Sequence, residues 1–179
     1  MDVNKIPKIS WLMPGLEVLP SKIDGMGVFT QRDIKKDDVV IIWGGIVLTV
    51  DEFKAGKGLA HTNVGVDEGL FLAEHPNHEL GTDDYMNHSC DPNLWLKDEV
   101  TLIARRDISA GEELTMDYAV ELADENYVMK RTCNCGSEHC RKRITGNDWK
   151  LPIVQQTMQD HFSPFINQRI QKLNVTRRY

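Results

Sequence analysis

No stretch of this chain approaches the ~18 consecutive apolar residues of a membrane span. The opening MDVNKIPKISW has no apolar core of a secretory signal. Neither membrane insertion nor export is expected, and the expected location is intracellular, cytoplasm or nucleus. Positive charge is short as well. The 21 Lys and Arg against 27 Asp and Glu leave a net charge of −6. That disfavours a nucleic-acid binder working by bulk phosphate neutralisation and is compatible with a basic substrate. There is no Gly-Lys-Ser/Thr triplet. No third glycine follows Gly25-Met26-Gly27, and no helical pattern comes after it, so neither a P-loop nor a dinucleotide fingerprint is present. Internal repeats and low-complexity linkers are absent.

What is present is ordinary globular composition: 41% hydrophobic and 27% charged residues. A length of 179 residues corresponds to about one domain. Such a chain can bury roughly 68–70% of the surface it would expose unfolded.

The four cysteines, sparse as they are, cluster. Cys133, Cys135 and Cys140 form C-x-C-x4-C, and Cys90 stands apart. Without an export signal the thiols are expected to stay reduced. Clustered thiols in a reducing compartment point to Zn²⁺, which takes four ligands tetrahedrally. Three clustered sulfurs need a fourth, and Cys90 is the only other cysteine. Four free buried thiols are the alternative that spacing alone leaves open.

The first hundred or so residues read as strands and turns. Leu16–Leu19, Val28–Thr30, Val39–Trp43, Ile46–Leu48, Gly69–Leu72, Val100–Ala104 and Glu113–Thr115 carry the apolar or β-branched runs. Thr49-Val50-Asp51-Glu52 is a capping-box pattern that predicts a short helix to about Ala55. From about Val120 to the cysteines the pattern is helical or irregular. Leu151 to Asp160 reads as helical. Ser163-Pro164, a cap residue and a proline at the first helical position, opens a second helix through Leu173.

Three motifs carry chemistry. Gly25-Met26-Gly27 lets the backbone turn tightly and approach a ligand, although alone it reads as a hairpin turn. Asn87-His88-Ser89-Cys90-Asp91-Pro92-Asn93 brings together an amide, an imidazole, a hydroxyl and a thiol, and its thiol is the missing partner of the downstream cluster. Gly111-Glu112-Glu113-Leu114-Thr115-Met116-Asp117-Tyr118 ends in a phenol able to hydrogen-bond and orient an amine. Several other polar residues read as bland. His75-Pro76-Asn77-His78 is a surface loop, His61 and His161 are surface or helix-end residues, and Arg141-Lys142-Arg143 is a solvated stretch. Trp95 and Trp149 are packing residues, and Asp117 is a solvated or structural carboxylate.

In this order, G-x-G, NHSCDPN, GEELTMDY and CNCGSEHC, the chain resembles the SET domain, a family of S-adenosylmethionine-dependent protein lysine methyltransferases. CNCGSEHC is similar to that family's post-SET zinc motif. The resemblance runs from about Leu16 to Arg143. It implies a mainly β fold: the SET (β-clip) arrangement of small sheets, with a threaded, knot-like segment around Asn87 and Tyr118, a post-SET zinc site and short C-terminal helices. The implied division is a SET domain over 14–120, a zinc-binding segment over 121–145 and a helical extension over 146–179. The resemblance also assigns roles. Gly25, Met26 and Gly27 would lie along the methionine part of S-adenosylmethionine. Asn87 and His88 would hold the cofactor near its adenine through backbone and amide contacts. Tyr118 would be the catalytic tyrosine at the inner end of the lysine channel and also border the cofactor. Cys90, Cys133, Cys135 and Cys140 would hold one structural Zn²⁺.

The chain departs from the family at the channel. The usual Tyr-x-Gly-Glu is here Trp43-Gly44-Gly45-Ile46, and the usual Phe or Tyr two residues before the catalytic tyrosine is Met116. The implied activity is methyl transfer to a lysine of a protein or peptide, a histone being one candidate, with no membrane partner and with direct nucleic-acid binding not expected. The alternative from another class is an inactive SET module that binds a peptide or partner.

Overall fold

Alternating and continuous runs of Val, Ile and Leu, cut by glycines and Asp-rich turns, form many short strands. In the computed structural model, which describes residues 3–176, the strands are β1 (Trp11–Leu12), β2 (Leu16–Pro20), β3 (Met26–Thr30), β4 (Val39–Ile42), β5 (Ile46–Thr49), β6 (Val64–Asp67), β7 (Leu70–Ala73), β8 (Asn87–His88), β9 (Leu94–Leu96), β10 (Thr101–Ala104) and β11 (Glu113–Met116). Three α-helices accompany them among the described residues: α1 (Val50–Lys54), α2 (Pro152–Thr157) and α3 (Pro164–Thr176). No described helix is long and apolar enough to cross a membrane.

The strands make three small sheets, in orders β1-β4-β10-β9, β2-β3-β11-β8 and β5-β7-β6. All pairings are antiparallel except β8 with β11, where Thr115 lies opposite Asn87 and Met116 opposite His88. The one parallel pair therefore lays the NHSC segment alongside the strand that leads to Tyr118. β10 is buried at every position, as a strand packed on both faces must be, and that explains its unbroken apolar run. Ile41, Leu94, Leu96, Leu102 and Leu114 are fully enclosed between the sheets. Side chains of this kind contribute about 1.5–3 kcal/mol each.

The capping box forms as the sequence predicts. Thr49 Oγ1 accepts from the Glu52 N–H, and the Glu52 carboxylate accepts from the Thr49 N–H. The C-terminal helices differ in extent. Met158 already ends the first one, and the second runs on to Thr176. Ser163 does not cap α3 through its side chain, because its hydroxyl is buried without a hydrogen-bond partner. Its backbone does the anchoring: Ser163 N–H donates to Val120 O at 2.7 Å. Phe162, Phe165 and Ile166 are buried in the main core, and α3 packs on β6. His161, far from being a free surface residue, stacks its ring on Trp95 at 3.5 Å and hydrogen-bonds Leu96 O through Nδ1. The Ser163–Val120 bond ties the C-terminal segment to the turn that carries Tyr118.

Candidate active site

The β2–β3 hairpin presents the first motif. Gly25 has φ +49, a left-handed conformation that suits glycine. A Cβ on Gly27 would overlap the Glu113 carboxylate and press on the Asn87 amide. That amide is why the approach is so close. Asn87 Nδ2 lies 3.1 Å from Asp24 O, 2.9 Å from Met26 O and 2.8 Å from Glu113 Oε1. Ser21 Oγ donates to the same carboxylate at 2.8 Å. Asn87 thus clasps the hairpin, and Gly25, Met26, Gly27 and Asn87 form one unit. Glu113, which sequence reasoning treated only as a strand residue, is its hub.

His88 points inward and is 3% exposed. The Tyr118 backbone N–H can only donate, so His88 Nδ1, 3.1 Å away, accepts it. The ring proton then resides on Nε2, 3.3 Å from Cys90 Sγ. Burial lowers the imidazole to about 4, so it stays neutral at physiological pH. With both nitrogens engaged, His88 has only its backbone to offer a ligand.

Tyr118 donates its hydroxyl to Met86 O at 2.9 Å. Burial pushes its phenol well above the usual range, so it is a neutral donor rather than a base. Tyr118 and Met86 face a cavity of about 510 Å³, also walled by Trp43, Met116, Tyr127 and Met129. Trp43 and Met116, two of the positions where the chain departs from the family pattern, therefore meet at this cavity.

The four cysteine sulfurs lie within 4.8 Å of one another, and all four cysteines are free of disulfides. A tetrahedral Zn²⁺ with Zn–S of about 2.3 Å needs S···S edges of about 3.8 Å, so the cluster fits this ion. N–H donors already face the sulfurs, from Arg141 to Cys90 at 3.3 Å and from Cys90 to Cys135 at 3.5 Å. Burial pushes the Cys90 and Cys133 thiols up, Cys133 to about 12. At Cys135 burial is outweighed by backbone donors, from Cys90 first, and the thiol comes down to about 7. A cation at the centre is what would hold all four as thiolates.

The SET domain pattern matches residues 25–119, more than half of the 179 residues. The chain belongs to the SET-domain family. The human histone-lysine N-methyltransferase 2B is 31% identical over 138 residues, covering 70% of this chain and 5% of that protein. This SET chain spans between 2% and 7% of the length of the curated relatives it matches. Among solved structures, Arabidopsis thaliana SUVH6 in complex with SAM superposes with a TM-score of 0.61 at 20% identity, over 74% of this chain and 33% of that one. KRYPTONITE in complex with mCHH DNA, H3(1–15) peptide and SAH gives 0.57 at 26% identity, over 74% and 30%. The mainly β fold of small sheets is thereby that of the SET domain. The triad Cys133, Cys135 and Cys140 lies beyond the matched span.

Some readings need correction. Arg141 is not part of a solvated stretch. Its side chain is 12% exposed and pairs with Asp117 and Asp148. A basic run carries no signal for which of its members turns inward. Asp117 is structural, as one of its two readings had it: it is buried and caps the turn at Ala119. Glu121 was missed altogether. A lone acid within Ala119-Val120-Glu121-Leu122-Ala123 is the signal that could have found it.

Proposed function

We propose that this chain transfers a methyl group from S-adenosylmethionine to the ε-amine of a lysine in a protein or peptide. The observation that carries the reading is the Tyr118 hydroxyl fixed on Met86 O at the wall of a cavity, one β-pairing away from the clasped G-x-G hairpin. The names of the relatives and the H3 peptide held by KRYPTONITE support a histone-like, basic substrate, as does the net charge of −6. That charge also favours a peptide over nucleic acid as the direct partner. Four reduced thiols suit an intracellular protein.

S-adenosylmethionine, when bound, supplies an electrophilic methyl group on sulfonium sulfur. Gly25, Met26 and Gly27 would hold it through backbone groups, with Asn87 and the backbone of His88 beside them. Tyr118 and Met86 O would orient the amine lone pair towards the methyl. Lysine, with a pKa of about 10.4, is only about one part in a thousand neutral near pH 7.4, a cost of roughly 4 kcal/mol. Positioning supplies most of the acceleration. Cys90, Cys133, Cys135 and Cys140 would bind one structural Zn²⁺. In this reading 14–120 is the SET unit, 121–145 the zinc-binding segment and 146–179 the helical extension.

The test is transfer of labelled methyl from S-adenosylmethionine to a panel of basic proteins, followed by mass spectrometry of the product. Methylated lysine is expected. Cofactor binding with no transfer to any member would favour the inactive binding module instead.

A further inference from the structure

Six carboxylates line the cavity beside Tyr118: Asp24, Glu74, Asp83, Asp84, Glu121 and Asp124. No lysine or arginine among the described residues lines it. Acidic clusters on a surface are common and by themselves mean little. Glu121 is different in kind, being 8% exposed while its neighbours Val120 and Leu122 are apolar and buried. One of its oxygens, Oε2, accepts the Gly65 N–H at 2.8 Å. The other, Oε1, accepts no hydrogen bond from any described residue. The described side-chain polar atoms that are both sealed from solvent and unpartnered are Trp95 Nε1, Trp149 Nε1 and Ser163 Oγ. Glu121 Oε1 is not one of them, so solvent reaches it, and Glu121 is among the residues that line the cavity.

We propose that Glu121 is a cation-recognition residue, whose free carboxylate oxygen receives the alkylammonium group of a substrate side chain entering this cavity. The assignment rests on the methyltransferase reading for its biological substrate, a lysine flanked by further basic residues, but not for its chemistry. A buried carboxylate is costly unless paired, and the chain supplies it only one N–H. Burial, offset in part by that N–H, pushes Glu121 up to about 8, with no cationic side chain contributing. An incoming ammonium provides the missing partner, in surroundings where a charge-assisted hydrogen bond is stronger than in water. The remaining carboxylates favour cationic over neutral or anionic ligands.

The probe is n-butylammonium chloride, which carries the end of a lysine side chain and nothing else. The control is n-butanol, of the same length and uncharged, at matched ionic strength. The Gly65 amide resonance reports directly on Glu121, because that N–H is bonded to its carboxylate. At about pH 9 the carboxylate is ionised and the alkylamine is still largely charged. Saturable shifts at Gly65 are expected with n-butylammonium and not with n-butanol. Glu121→Gln keeps an acceptor for Gly65 and should weaken n-butylammonium binding at least tenfold. Equal affinity in the variant, equal binding of the alcohol, or no shift in the unaltered protein each overturns the assignment. Should the variant not fold, the ammonium-against-alcohol comparison on the unaltered protein still decides. A chain that binds n-butylammonium here but methylates nothing contradicts the proposed function alone. A methyltransferase blind to n-butylammonium contradicts this inference alone.

Discussion

Arg141 grips Asp117 with two parallel hydrogen bonds, Nη1 to Oδ2 and Nη2 to Oδ1, both 2.7 Å. The pair joins two regions distant in the chain. Arg141 follows Cys140 and donates its backbone N–H to Cys90 Sγ. Asp117 precedes Tyr118 and caps the turn that begins there. The cysteine cluster and the tyrosine are thus held in one frame, with Asp148 as a third member through Arg141 Nε at 2.8 Å.

Arg141→Ala should therefore be severe. It leaves Asp117, 1% exposed, charged and unpaired. Breaking a buried pair in this way costs about 3–5 kcal/mol. Urea denaturation of variant and parent measures it, and a loss below about 1 kcal/mol would place the pair among those worth little. Arg141→Lys should recover only part of the loss, because an ammonium cannot reproduce the two-point geometry.

Removal of metal should act on the same frame. One Zn²⁺ per chain is expected by elemental analysis. Chelation should raise hydrogen exchange from about Lys130 onward more than in the β core, because the ion ties that segment to Cys90. Two disulfides in place of the metal, or exchange that rises evenly over the chain, would contradict this.

Much of the fold and site was legible in the sequence for identifiable physical reasons. β4, β5, β7, β10 and β11 announced themselves through apolar or β-branched runs, and α1 through its capping box. β1 and β8 are two residues long and are strands only by virtue of their partners. β6 contains Gly65, and β9 spans Leu94–Leu96 only. Tertiary pairing defines them, so no local pattern could. The site divides in the same way. G-x-G, NHSC and the cysteine triad are contiguous motifs and could be read directly. The Asn87 clasp on Glu113, the carbonyl of Met86 and the inward turn of Arg141 depend on which segments meet in space.

Tyr118→Phe removes one oxygen and keeps the ring. The packing on His88, with ring centroids 5.1 Å apart, should survive, and so should S-adenosylmethionine binding. Met86 O loses its donor, a cost of about 1 kcal/mol in stability. Methyl transfer should fall at least tenfold in a single-turnover assay with calorimetric affinity for the cofactor unchanged. An unaltered rate would remove Tyr118 from the chemistry.

Asn87→Ala opens the clasp. The carbonyls of Asp24 and Met26 and the Glu113 carboxylate lose a shared donor. Since the first two belong to the loop proposed to hold the cofactor, S-adenosylmethionine affinity should drop by on the order of 1–3 kcal/mol, with some loss of stability alongside. Calorimetric titration at matched folded fraction checks this. Equal affinity would make Asn87 a residue of the fold alone.

Glu121 should leave a signature in the pH dependence of stability. Burial raises its folded value from 4.5 to about 8. Between those values the folded chain holds a proton at this site that the unfolded chain has released. Stability must then fall as pH rises through that window, and it levels off once the folded carboxylate has ionised. Glu121→Gln has no such proton. Asp84, which burial also raises, to about 6, titrates in both proteins and cancels from the difference. Urea denaturation of the pair between about pH 5 and pH 8 should show the parent losing on the order of 3–5 kcal/mol relative to the variant. At the upper end the variant should be the more stable of the two. Parallel curves would mean that the Glu121 carboxylate is solvated or already paired in the folded chain.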